Sequence, residues 1–245
     1  MLRNTKGDRS LKENVMLAAS TAFVAGVINV AGVIAFFAFS SNITGHVANL
    51  AKHIVSLDLN DITTLILWLF AFFLGAFLSS YIIKSHKKGS PYRTHSVPIM
   101  IEMLVLFAVA LYSDLFYHGG PVESEIIIGC ILFSMGLQNS VVSIISGGLV
   151  KSAHLTGLMT DMGAETAEYL HPKTNDRVVI KHKLYVRCAI FFFHIFGGLV
   201  GAYFFYLYKF EVFYAVPLIL LIIIYYDLFP LWIHRIMHRF KRTSH

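Results

Sequence analysis

The sequence predicts an all-α, polytopic membrane protein with six transmembrane helices arranged as a 3+3 inverted repeat, plus two short broken or re-entrant helices. Three observations lead there. The 245 residues are 56% hydrophobic and 14% charged, with a mean hydropathy of +0.66, outside the balance of a soluble domain. The apolar residues fall in long continuous runs rather than alternating, which argues against a strand barrel. Two stretches of the chain also repeat each other's residues in the same order.

The first run, Val15 to Phe39, follows Arg3, Lys6, Arg9 and Lys12. The basic flank resembles a secretory signal, but the run is too long and lacks a cleavage site, so it reads as a retained span. The others are Thr64 to Ile83, Val97 to Tyr112, Ile126 to Val150, Cys188 to Tyr208 and Val212 to Ile233. A crossing takes about 20 residues; the third run reaches that only with Ser113 to Phe116. Cys130 and Cys188 fall inside spans and imply no disulfide framework.

Basic residues set the orientation. Four precede the first run, four lie in Lys84 to Arg93, six in Lys151 to Arg187 and four in Arg235 to Arg242. With both termini in the cytoplasm, six crossings place 18 of the 20 Lys and Arg inside, as membrane insertion favours. The same rule accounts for the net charge of +6 without a nucleic-acid partner. The expectation is one integral domain, 1–245, in a bacterial plasma (inner) membrane, with the lipid bilayer as its partner.

The repeat runs through both halves. Gly26-Val27-Ile28-Asn29 is followed by Thr44-Gly45, and Gly136-Leu137-Gln138-Asn139 by Thr156-Gly157. Each set precedes a helix with small residues and a tyrosine: Gly75, Ser79 and Tyr81, then Gly197, Gly201 and Tyr203. The halves run about 15–117 and 125–233. Three crossings per half is an odd number, so the second half enters from the opposite side, as in many secondary transporters. After each Thr-Gly pair the apolar residues recur at helical spacing: Val47, Leu50, Ala51 and Ile54, then Leu155, Leu158, Met159 and Met162. Both helices are too short to span, so they are interfacial or re-entrant. Thr44 and Thr156 are read as their N-caps.

At these residues the chain resembles the YoaK-like family, small bacterial multi-pass membrane proteins whose domain is of unknown function. The resemblance covers Val15 to Tyr208, and its specificity lies in the order and spacing of short motifs. In that family the first motif commonly ends in aspartate. Here the position is Asn29, so the resemblance implies no carboxylate role there.

Asn29, Gln138 and Asn139 lie deep in spans, where an amide needs a partner because hydrocarbon offers none. They serve either as helix–helix glue or, with Thr44, Gly45, Thr156 and Gly157, as a substrate-binding site between the halves. Glu102 and His194 are ionisable groups inside spans and are candidates for a proton or solute path. Asp161, Glu165 and Glu168, near His171, are read as the solvated side of an amphipathic helix rather than a metal site. His234 and His238 form a lone i, i+4 pair. No phosphate loop, Ser-His-Asp arrangement or metalloprotease motif occurs, so no catalytic residue, metal or cofactor is expected. The small-residue stripes join either the two halves or two chains of a homodimer. The first functional reading is a transporter or channel for a small solute that the sequence does not identify. The second is a non-transporting scaffold or stress-related membrane protein, and the third a membrane-embedded enzyme.

Overall fold

A computed structural model describes residues 2, 9–85, 90–172, 174 and 176–226. These residues hold seven α-helices and no strand: α1 (Leu11–Phe36), α2 (Ile43–Ser56), α3 (Leu59–Ser85), α4 (Pro91–Leu115), α5 (Pro121–Ser146), α6 (Leu155–Leu170) and α7 (Arg177–Tyr208). Residues 212–226 are also helical, after a short 3₁₀ turn at Lys209–Glu211. Five stretches are long and apolar enough to cross a membrane: α1, α3, α4, α5, and Arg177–Tyr226 taken as one. The histidines His234 and His238, the end of the sixth apolar run and the basic residues Arg3, Lys6, Lys87, Lys88, Lys173 and Arg235 to Arg242 lie outside the described residues.

Local sequence fixes the helix ends. Ser10 caps α1 by accepting from the Glu13 amide, and Glu13 Oε2 accepts from the Ser10 amide at 2.8 Å, a reciprocal arrangement that uses two otherwise unpaired donors. Pro91 and Pro121 open α4 and α5, where a missing N–H costs nothing. Gly147 ends α5 with φ 65°, a left-handed conformation that glycine adopts without a Cβ penalty. The structure corrects two expectations. The caps of α2 and α6 are Asn42 and His154, two residues before Thr44 and Thr156. The third span lengthens at its start as well as its end: α4 takes in Thr94, His95 and Ser96, which are buried. His95 Nδ1 meets the Leu2 carbonyl at 2.7 Å and Ser96 donates to the Tyr92 carbonyl, so these polar groups are paired rather than stranded.

The two most extensive pairings are α1 with α7 and α3 with α5. Both are parallel and both depend on glycine. A methyl group on Gly26 would strike the His194 carbonyl, and one on Gly197 the Phe23 carbonyl. In the other pair, a methyl on Gly75 would strike the Phe133 carbonyl, and one on Gly136 the Phe72 carbonyl. Glycine therefore lets the backbones touch, as small residues do in membrane helix packing. The small-residue stripes are thus occupied within one chain, while Tyr81 and Tyr203 point outward. The α3–α5 pair is further tied by Trp68 Nε1 donating to the Glu125 carbonyl at 2.9 Å and by Ser80 with Ser140 at 2.8 Å.

α1 and α5 form the interior, with 67% and 61% of their apolar windows buried, against 17% for α3. The outer face of α3 carries Phe70, Phe73, Phe77 and Tyr81 as an exposed ladder, stacked from Phe73 to Tyr81 and tilted at Phe70. At Lys209, with φ 51°, the chain reverses. Tyr214 then donates to Asp114 at the end of α4, and Tyr92 at its start donates to the Ile224 carbonyl. Phe36 stacks on Phe213 and the Tyr226 hydroxyl reaches Met16. Residues 212–226 therefore run antiparallel to both α1 and α4.

Candidate functional site

Asn29 and Asn139 each lie seven residues before the end of their helix. After each helix the connection folds back over the amide. Asn29 Oδ1 accepts from Ser40 Oγ at 2.8 Å and Ser41 Oγ at 3.0 Å, while its Nδ2 donates to Ser41 Oγ at 2.7 Å. Asn139 Oδ1 accepts from the Ala153 amide at 3.3 Å. Ser152 Oγ lies 3.4 Å from both Asn139 Oδ1 and Gln138 Oε1, so its single hydrogen serves two oxygens. Gln138 Nε2 is buried and has no partner among the described residues.

One cavity of about 850 Å³ unites most of the residues picked out from the sequence. Asn29, Asn139, Thr44, Thr156 and His194 all line it. Gln138, Gly45, Gly157 and Glu102 are not part of its lining. Gly45 and Gly157 stand behind it, packed against the Asn42 and His154 side chains that do line it. Glu102 is fully buried on α4, and neither oxygen has a hydrogen-bond partner among the described residues. His194, on α7, sets Nδ1 at 3.2 Å from the Ser152 carbonyl. A carbonyl only accepts, so Nδ1 carries the proton.

The structure adds Asn42, Lys151 and His154 to the lining. Asn42 and His154 had a legible signal, since both stand two residues before a Thr-Gly pair, where a cap belongs. Their roles differ. Asn42 Oδ1 accepts from the Gly45 amide at 3.0 Å, whereas the His154 side chain makes no capping bond. His46 Nε2 bonds the Phe39 carbonyl at 2.8 Å and its ring meets Trp68 edge-on, which holds α2 against α3. Burial pushes the His46 imidazole below its usual value, and its bond to Phe39 partly offsets this.

The acidic stripe on α6 is not simply solvated. Glu165 is buried and takes Arg187 of α7 through both oxygens, at 2.6 and 3.0 Å, and Asp161 joins the same guanidinium at 2.9 Å. Only Glu168 and His171 are exposed as expected. At the α2–α3 corner His53, Asp58 and Asp61 bring three ligand-type atoms within 4.8 Å of one another. His53 lies 3.1 Å from Asp61, and Asp58 accepts from the Asp61 amide. That group is hidden in the sequence because His53 and Asp61 belong to two different helices and Asp58 to the turn between them.

Long apolar helices packed around a polar cavity define a multi-pass, membrane-type helical protein. The chain belongs to the family described as "Protein of unknown function (DUF1275)", whose profile matches residues 17–226. The YoaK-like resemblance agrees with that membership. No curated protein and no solved structure matches the chain.

Proposed function

We propose that the protein moves a small solute across a bacterial plasma membrane, as a transporter or channel, through a site between two inverted halves. The observation that carries this reading is the shared cavity. Asn29 and Thr44 from one half meet Asn139 and Thr156 from the other on its walls. Equivalent polar residues converging between repeats are the arrangement expected of a transporter site, and the volume suits a small ligand.

Six crossings with cytoplasmic termini go with this reading. The parallel direction of α1 with α7 and of α3 with α5 fits halves about 15–117 and 125–233 that enter from opposite sides. The reversal at Lys209 gives the sixth crossing its direction. α2 and α6 serve as the short broken helices whose first turns face the solute.

A non-transporting scaffold is the second reading, favoured by the three hydrogen bonds that Asn29 makes to Ser40 and Ser41, since an amide engaged at both its oxygen and its nitrogen is adequate as helix glue. A thermal-shift screen of the purified protein against small solutes separates the two. A solute that binds only the folded state stabilises it by about 2.7 kcal/mol at 100 times its Kd. The transporter reading expects at least one stabilising solute whose effect is lost in Asn139→Leu. A screen without any stabilising solute, with the protein otherwise folded, favours the scaffold.

A further inference from the structure

We propose that the cavity's ligand is a small oxyanion that retains an O–H, such as dihydrogen phosphate or a 2-hydroxycarboxylate; this rests on the solute-site reading and narrows it. The cavity presents hydrogen-bond donors that nothing among the described residues uses. Lys151 lines it and makes no ion pair among the described residues. Asn139 spends its Oδ1 on Ala153 and Ser152, which leaves its NH₂ as the group free to meet a ligand. His154 provides no side-chain cap, so the Gly157 amide lacks the acceptor that Asn42 gives the Gly45 amide of α2, and the amides of Leu155 and Thr156 on the cavity wall have no acceptor among the described residues either. The lining holds no Asp or Glu. Unused donors beside a lysine, without a carboxylate, are complemented by a group that only accepts and carries negative charge.

His194 supplies the exception that refines the class. It is 9% exposed, lines the cavity, and has only Nδ1 engaged, as a donor to the Ser152 carbonyl. In the neutral ring Nε2 is therefore an acceptor, and it would repel a fully deprotonated anion. An anion that keeps an O–H gives its hydrogen to Nε2 and its deprotonated oxygens to Lys151 and the amides. A cation or a neutral acceptor-poor solute would leave these donors unpaired.

The test uses the full chain in phosphatidylcholine nanodiscs, following the thermal midpoint with inorganic phosphate, lactate, glycine and choline. A second series repeats the buffer control in discs containing phosphatidylglycerol, an oxyanion fixed to a lipid. Stabilisation by phosphate or lactate, weakened at least tenfold in apparent affinity by Lys151→Gln and largely kept by Lys151→Arg, is the expected result. Stabilisation by glycine or choline alone, lost in Asn139→Leu, would overturn the oxyanion assignment and leave the solute site intact. Stabilisation by phosphatidylglycerol alone, lost in Lys151→Gln, would keep an oxyanion site but remove the solute reading. Phosphate stabilisation that is unchanged in Lys151→Gln, or no stabilisation by any probe, overturns the proposal.

Discussion

Around Asn29 the amide uses both its oxygen and its nitrogen, in bonds of 2.7 to 3.0 Å to two serines, and Asn42 caps the short helix that follows. Around Asn139 the same architecture is looser. Its bonds are 3.3 to 3.4 Å, its neighbour Gln138 leaves a buried nitrogen unpaired, and His154 leaves α6 without a side-chain cap. Bonds near 3.4 Å lie at the weak end of the range, and an unsatisfied donor is costly unless something else pairs with it. Asn29 and Asn42 thus direct their polar groups to partners within the chain, while Asn139, Gln138 and His154 keep capacity for a ligand. The difference separates the structural use of a buried amide from its functional use within a single chain.

The glycine contacts are where the halves should behave alike, and they carry the largest effect. Gly26→Ala and Gly136→Ala each drive a methyl into a backbone carbonyl. Ordinary overpacking costs about 1–3 kcal/mol and occasionally more; a helical carbonyl cannot swing aside, so the cost here lies above that range and both variants should lose most of their folded yield. Gly163→Ala, which meets open space, should match wild type. If only one of the two interior glycines proves intolerant, the halves are not joined by the same device.

Next in size is an interaction found in the second half alone. Arg187→Gln leaves Glu165 buried, at 8% exposure, without its cation, and stranding a buried charge costs about 3–5 kcal/mol. Because the Glu165 side chain keeps 11% of its surface in contact with solvent, the lower figure applies. Adding Glu165→Gln to Arg187→Gln should recover part of the lost thermal midpoint; no recovery would mean that the pair does not stabilise the α6–α7 contact.

The asparagines give the smallest effect and the sharpest contrast. Asn29→Leu strands the buried Ser40 hydroxyl and should cost about 1–3 kcal/mol. Asn139→Leu gives up only long bonds and should cost under about 1 kcal/mol, while abolishing stabilisation by solute. Equal losses of stability in the two variants would erase the distinction drawn between the halves.

Much of this architecture was legible because membrane folding writes it redundantly. Hydrophobic runs gave the helices, and the paired Gly-x-x-Asn and Thr-Gly anchors pointed to the residues that now share a cavity. The start of α4 was not legible, because Thr94, His95 and Ser96 look like a loop until the Leu2 carbonyl and the helix's own backbone are seen to pair with them. Thr44 and Thr156 were read as caps on residue type alone, and the true caps lie two residues earlier. The Arg187 network was hidden for another reason: an acidic stripe reads as solvated unless its partner, 22 positions away from Glu165, is known to face it. Periodicity reports which face is polar, but not what that face meets.

The central claim is that water and solute reach Asn139 between the halves. Asn139→Cys, built with Cys130 and Cys188 replaced by serine, can be exposed in the folded protein to a small, water-soluble thiosulfonate reagent. A cysteine at Ser134, which is fully buried five residues back along α5, serves as the dry reference. A cysteine at 139 should react at least tenfold faster than one at 134. Reaction at both positions at the same slow rate would mean that the space between the halves is sealed, and would contradict the account.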